Sequence, residues 1–338
     1  MSVRYEAASR HARLSCHSAT VRIDMAKVLS LSNGKKIPQI GLGTSRIPKD
    51  ILEDTVCLAI EKGYRHFDTA FAYYNEVEIG NALKRKFEDG TVKRDELFVT
   101  SKLSSQYQAE EDVCPACTES LRRLQLDYVD LFLIHSPLSL KNPGYFATKP
   151  VDTAYLERDL KLTWRAMEEL VFSGKAKSIG LSNFNSQQID YISQGARIKP
   201  VMNQVELNIR FPQYQLERFC AERGILLTAY APMGAPGHPK LLNTKDKVPL
   251  LMDPNIIKLA EKYGKNQGQI LLKSLVERNV VLIPMSTNPD RLTSNLQLYD
   301  FELSKEDSKL IAGLEDGIRH FRRPTREDHP DYPFLISF

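Results

Sequence analysis

Asp68, Lys102 and His135 each close a run of apolar and β-branched residues, in YRHFD, LFVTSK and YVDLFLIH. Such runs read as strands buried on both faces, and those strands have no packing reason to end on an ionisable group, which costs several kcal/mol when buried alone. Together the three offset that cost. Asp68 holds Lys102 charged, and a lysine cation within ~4–6 Å of a tyrosine hydroxyl favours the tyrosinate and lowers a pKa that is otherwise about 10. Tyr73, on the loop that follows Asp68, is the tyrosine in reach. His135, as a neutral donor beside that hydroxyl, makes a two-donor site for an oxygen that gains negative charge. The expected chemistry is protonation of a carbonyl oxygen.

A carbonyl so protonated needs a nucleophile. The chain has no Ser in a GxSxG elbow, no Cys at a strand end and no metal triad, so a hydride from a cofactor fills the gap. Ser182, Asn183 and Gln204 can hydrogen-bond a carboxamide, Tyr230 can stack on a flat ring, and the segment from Ser286 to Asn295 brings Arg291 for a phosphate.

To converge, these residues need a shared scaffold. One unit recurs along the chain: an amphipathic helix, a Gly or Asn able to take positive φ, then an apolar run with a polar end. The runs are IPQIGLGT, RHFDT, ELFVTSK, YVDLFLIH, AKSIGLSN, VMNQVE, ILLTAY and VVLIPMS. Helical patterns alternate with them near 50–61, 76–87, 110–124, 153–173, 186–194, 213–222, 254–262 and 266–278. Eight such units predict a parallel sheet closed into a (β/α)8 barrel, an α/β TIM-barrel fold, with all the polar strand ends at one mouth. An open doubly wound sheet is the alternative, but no GxGxxG follows a strand. Asn33-Gly34 between two short apolar runs predicts a β-hairpin ahead of the barrel.

Composition narrows the function classes. The 338 residues carry 46 basic and 42 acidic side chains, interspersed, which reads as a solvated surface rather than a nucleic-acid patch. No apolar run approaches the roughly 18–20 residues needed to cross a bilayer, so no membrane partner is expected. Five cysteines, odd in number and unframed, fit a reducing compartment and a cytoplasmic location. Cys114 and Cys117 have redox-pair spacing but fall in a helical pattern and read as packing. Residues 1–24 carry Arg4, Arg10, Arg13 and Arg22 and no apolar core; they read as a disordered extension before Met25, a mitochondrial transit peptide being the alternative. Residues 25–338 then form a single domain, expected to be monomeric.

From about Val28 onward the sequence resembles the aldo-keto reductases. The resemblance rests on GYRHFDTAFAYYNEVEIG, VTSKL, LQLDYVDLFLIH, IGLSNF, NQVE, TAYAPMG, IPMSTNPDRLTSN and DHPDYPF, which occur in that family's order. It implies a C-terminal loop over the barrel mouth and reduction of an aldehyde or ketone by NADPH. Tyr73 would be the general acid and Asp68, Lys102 and His135 its supporting set. The implied cofactor residues are Thr44, Asp68, Ser182, Asn183, Gln204, Tyr230, Pro232, Met233, Ser286, Thr287, Arg291 and Asn295, with no metal. Tyr74 then reads as packing or loop surface, and Trp164 as core. A crystallin-like or sensor-like protein that keeps the fold without turnover is the competing class.

Two departures stand out. Ser45, Ser104 and Ser136 occupy positions where these enzymes commonly carry tryptophan around the substrate, alongside Tyr73 and His135. A wider or more polar pocket is expected, unless the loop at 138–160 and the tail refill it. Met285 stands where members that bind NADPH usually present a lysine, which leaves NADH as an alternative cofactor.

Overall fold

A computed structural model describes residues 27–149, 151, 153–236 and 248–336. The extension expected over residues 1–24 lies outside them. Strands β1 (Val28–Ser30) and β2 (Lys36–Pro38) pair antiparallel around the Asn33-Gly34 turn. Gly34 adopts φ 81°, the left-handed region that a tight hairpin demands of one residue.

Eight parallel strands follow, in the order β3 (Leu42–Gly43), β4 (His66–Asp68), β5 (Phe98–Leu103), β6 (Leu131–Ile134), β7 (Ile179–Ser182), β8 (Met202–Glu206), β9 (Leu226–Tyr230) and β10 (Val281–Leu282). Each pairs with its sequence neighbour. The sheet curls until its edges meet: Gly41 N donates to Leu282 O at 2.8 Å, Leu282 N to Gln39 O at 2.8 Å and Gly43 N to Pro284 O at 3.2 Å. At this seam a Cβ on Gly43 would lie 2.6 Å from the Ile283 carbonyl oxygen, so only glycine lets the edges approach.

The helices between strands are α1 (Lys49–Glu61), α2 (Glu76–Glu88), α3 (Glu110–Leu124), α4 (Leu160–Phe172), α5 (Ser186–Ser193), α6 (Tyr214–Ala221), α7 (Pro254–Tyr263) and α8 (Gln267–Val276). The apolar faces of α1 to α6 and part of α8 join the outer strand faces in one large core that includes Trp164, whose Nε1 donates to Ile198 O, while α7 packs with the rest of α8 in a separate cluster around Ile256, Leu259 and Ile270. The hairpin closes the opposite end of the barrel, packing Leu29, Leu31 and Ile37 on Phe98, Leu131, Leu133, Met202 and Val281. Cys117 is buried on α3 and Cys114 exposed one turn earlier.

Three segments depart from expectation. Residues 153–159 are not helical; Tyr155 bridges Leu140, Leu156 N donates to Ser139 O, and the helix begins only where Asp159 caps Lys161 N. Extended pairing within that loop outcompetes the helical pattern read from residue 153 onward. Helices α9 (Pro289–Leu296) and α10 (Lys305–Ala312) were not anticipated. Beyond α10 the chain crosses the mouth as the expected C-terminal loop, tied down by Asp316 N and Gly317 N to Arg210 O at 3.0 and 3.1 Å.

Candidate active site

Helix α1 ends in a turn in which Gly63, at φ 102°, sends the chain back along the helix into β4. Strand β4 then delivers Asp68 to the mouth, level with Gly43 on one side and Thr100 on the other. Lys102 lies two residues beyond Thr100 and therefore on the same face. Its Nζ donates to Asp68 Oδ1 at 2.5 Å, to Thr69 O at 2.7 Å and, at a longer 3.4 Å, meets the Tyr73 hydroxyl. Asp68 Oδ2 accepts from Gln204 Nε2 at 2.7 Å. The four groups form one network, sealed below: Asp68 is 1% exposed and Lys102 0%.

Tyr73 is placed by a short 3-10 turn, Phe71–Tyr73, that ends in a left-handed Tyr74 at φ 57°. Asn75 locks this turn to two strands. Its Nδ2 donates to Thr44 O at 3.0 Å and its Oδ1 accepts from Thr69 Oγ1 at 3.1 Å. The His135 ring meets the Tyr73 ring edge-on, with centroids 5.6 Å apart, and its nitrogens make no hydrogen bond among the described residues. Both rings are half-buried and open to the mouth.

Electrostatics divide the site. Burial alone would depress Lys102, but the Asp68 carboxylate and the Tyr73 hydroxyl reverse this and leave its pKa raised. His135 is driven well below the ordinary imidazole value by burial, with the Lys102 and Arg323 cations adding to the effect, so it is neutral. Tyr73 corrects an expectation. Lys102 does pull its pKa down, but burial outweighs the lysine and the net shift is upward. The phenol therefore keeps its proton at neutral pH.

The polar residues that end β7, β8 and β9 gather on the neighbouring arc. Ser182 Oγ donates to Gln204 O at 2.9 Å; Asn183, left-handed at φ 63°, donates through Nδ2 to His135 O at 2.9 Å and accepts the Tyr230 hydroxyl at 2.8 Å. Thr44 Oγ1 donates to Asp68 O at 2.9 Å. Pro232 is buried and Met233 half-buried just past Tyr230. Ser286, Thr287 and Arg291 form a separate group at the start of α9, which Asn288 caps by accepting from the N–H groups of Asp290 and Arg291. The Arg291 guanidinium is exposed and makes no hydrogen bond or ion pair among the described residues, Met285 is 45% exposed, and Asn295 is buried against the Tyr64 hydroxyl.

The three serines do not share one setting. Ser45 is half-exposed, whereas Ser104 and Ser136 are buried and Ser136 Oγ accepts Leu138 N within its own turn. The mouth is thus partly refilled by the loop after β6 and by the tail. Phe321 stands edge-on to Tyr230, centroids 5.5 Å apart, and Glu206 Oε1 and Oε2 accept from the N–H groups of His320 and Phe321 at 2.8 and 2.9 Å. His329 Nε2 lies 3.2 Å from Ser139 N, fastening the far end of the tail. Glu206, Asn75, Phe321 and Arg323 escaped the sequence reading. Glu206 carries the same signal as Asp68, an acid ending a buried strand, two residues past Gln204; the tail residues carry no periodic signal.

A barrel with this network at its mouth defines a class, and comparison with known proteins agrees with it. The Aldo/keto reductase family model matches residues 39–316. The chain is 42% identical over 318 residues to aldo-keto reductase family 1 member A1 of Gallus gallus, covering 90% of this chain and 97% of that protein. It is 41% identical over 317 residues to prostaglandin F synthase 1 of Bos taurus, covering 92% and 98%. Among solved structures, the aldose reductase from Schistosoma japonicum superposes with a TM-score of 0.85 at 37% identity, covering 92% of this chain and 100% of that one. The Bombyx mori aldo-keto reductase in complex with NADP gives 0.85 and 37%, covering 91% and 99%. The chain belongs to the aldo-keto reductase family.

Proposed function

We propose that this protein reduces aldehydes or ketones to alcohols, with Tyr73 as the general acid and NADPH as the reductant. The observation that carries the reading is the position of Lys102 Nζ between Asp68 Oδ1 and the Tyr73 hydroxyl. Tyr73 holds its proton until negative charge develops on the substrate oxygen. At that moment the phenol gives it up, and the Lys102 cation stabilises the tyrosinate that remains. Asp68 keeps the lysine charged, and Gln204 holds Asp68 by its second oxygen. Neutral His135 supplies the second donor to the same oxygen, and a neutral imidazole does this without adding a third charge to the floor. In the oxidative direction Tyr73 takes the proton back.

A nicotinamide dinucleotide, when bound, supplies the hydride. Ser182, Asn183 and Gln204 offer amide and hydroxyl partners of the kind a carboxamide requires, and the Tyr230 ring offers a flat apolar face. Arg291 on α9, whose side chain makes no hydrogen bond or ion pair among the described residues, suits a phosphate through its planar fork. Met285 supports a second reading on this point alone. An exposed thioether adds no charge for a ribose phosphate, so NADH use is the alternative. KM values for the two cofactors decide it; a ratio near one removes the NADPH preference.

Consumption of NADPH over a panel of carbonyl compounds tests the reading. Turnover on aldehydes or ketones is expected. No consumption on any carbonyl, with tight NADPH binding retained, would make this a fold-retaining cofactor-binding protein instead.

A further inference from the structure

The turn that carries Tyr73 is held from behind as well as from the mouth. A 3-10 turn advances roughly 120° per residue, so Phe71 and Tyr73, at its two ends, point in different directions. Tyr73 opens to the mouth, whereas Phe71 is 1% exposed and lies in the core. The Phe71 ring meets the Tyr107 ring edge-on with centroids 5.0 Å apart and the Phe146 ring at 6.0 Å, and Tyr107 and Phe146 meet each other at 5.4 Å, all within the range of attractive ring pairs. The Arg123 guanidinium stands 4.2 Å from the Phe71 centroid and is itself held by Glu119 at 2.8 Å. Two backbone hydrogen bonds carry this grip to the acid: Tyr73 N donates to Ala70 O at 3.0 Å and Tyr74 N to Phe71 O at 3.1 Å.

The loop that leaves the mouth beside His135 completes the brace. The Tyr107 hydroxyl donates to Tyr145 O at 2.9 Å and accepts Ala147 N at 2.9 Å, which staples the loop on either side of Phe146. One residue on, Gln108 Nε2 donates to Ser136 O at 2.8 Å, next to His135. Tyr107 and Gln108 thus tie the backbone beside one proton donor to the turn that carries the other. Phe146 itself is 38% exposed, and its ring partners among the described residues are Phe71 and Tyr107. Beside them it lines a surface groove of about 360 Å³ with Cys114, Thr118 and Arg122 of α3. What a partly exposed ring with so few partners fixes is local rather than the fold as a whole.

We propose that Phe146 and Tyr107 are positioning residues for the proton transfer: through Phe71 they hold the Tyr73 hydroxyl 3.4 Å from Lys102 Nζ and its ring edge-on to His135. The proposal rests on the carbonyl-reductase reading above. Displacing a reacting group by about 1 Å can cost on the order of 10²-fold in rate. In the full-length protein with NADPH, Phe146→Ala is therefore expected to lower kcat by about tenfold to a hundredfold, and by a similar factor for every carbonyl that the wild type reduces, since the acid is common to all of them. KM for the carbonyls changes less, and NADPH affinity by fluorescence titration stays near wild type. Phe146→Tyr keeps the ring and restores most of kcat. Phe71→Leu lowers kcat on its own, and in that background Phe146→Ala costs much less than in the wild type, because the ring it supports is gone.

An unchanged kcat in Phe146→Ala, a loss that falls mainly in KM or differs from one carbonyl to the next, or a loss that Phe146→Tyr does not relieve overturns the proposal and leaves carbonyl reduction standing. Full additivity with Phe71→Leu does the same. If Phe146→Ala does not fold, Tyr107→Phe carries the test, because it keeps the ring and removes both hydrogen bonds to the loop. A smaller fall in kcat, again uniform across carbonyls, is expected there, and an unchanged kcat overturns the proposal. Reduction of no carbonyl by the wild type overturns the reading beneath it as well.

Discussion

The floor of the barrel mouth and its rim are built on opposite principles. On the floor, Asp68, Lys102 and Gln204 are donated by three strands, are sealed from solvent, and satisfy one another at 2.5 and 2.7 Å. On the rim, Arg323, Met285 and Arg291 stand exposed on loops and helix starts, and neither guanidinium makes a hydrogen bond or ion pair among the described residues. A charge taken out of water must be fully paired, so the floor tolerates almost no variation. A charge in water need not be, so the rim is free to match a ligand. The contrast assigns generic proton chemistry to the floor and selectivity to the rim.

The strongest way to break that contrast is at the Tyr73 hydroxyl, which meets Lys102 on the floor and opens to the mouth. Tyr73→Phe removes the acid and keeps the ring that faces His135. Turnover is expected to fall by about 10²–10⁴-fold, the range for a lost general acid, while NADPH affinity by fluorescence titration stays near wild type. Appreciable residual turnover would move the acid elsewhere, and with it the division between floor and rim.

Next in size is Lys102→Met, which leaves Asp68 buried with no cation. Stability is expected to drop by about 3–5 kcal/mol in denaturant titrations, with Asp68→Asn/Lys102→Met less destabilised than the single variant. If the double variant is no better, the pair is not the coupled unit described here.

What the sequence disclosed follows the same line. Asp68, Lys102 and His135 were legible because a polar end on an apolar strand run violates local expectation, and eight such runs placed all of them at one mouth. The direction of the Tyr73 shift was not legible, since spacing reveals the lysine but not how deeply the phenol is buried. Nor was the rim. The non-helical stretch before α4 and the tail from Arg319 to Phe334 are set by long-range contacts, such as His329 with Ser139, that no periodicity announces. The start of α9 was read as a phosphate-suited segment and not as a helix, being only eight residues long.

The two imidazoles near β4 and β6 differ in the same way. His135 faces the mouth, while His66 is sealed at the start of β4 against Pro38 O and Thr100 Oγ1, and burial lowers its pKa to about 4. In the unfolded chain a histidine titrates near 6.5. Between these values the unfolded state binds the proton and the folded state refuses it, so stability is lost as pH falls from about 6.5 toward 4. Above that window His66 contributes nothing to the pH dependence. His66→Gln is expected to flatten the slope of unfolding free energy against pH there, by a total of about 3 kcal/mol at most. An unchanged slope would mean that other groups, His135 first among them, dominate acid unfolding.

The smallest expected effect is the one that joins the two regions. Glu206 belongs to a floor strand, yet its carboxylate holds the rim by accepting two N–H groups of the tail. Burial raises its pKa and the two donated hydrogen bonds only partly counter this. Glu206→Gln keeps the size and one acceptor oxygen but replaces the other with a donor that faces an N–H. One charge-assisted hydrogen bond of about 1.5–3 kcal/mol is lost at the tail, not in the Asp68–Lys102 network. KM for carbonyl substrates is therefore expected to rise about tenfold while kcat changes little, because Tyr73 and Lys102 sit on elements the tail does not carry. A matched fall in kcat would mean that the tail orders the floor as well, and the two regions would then be one device.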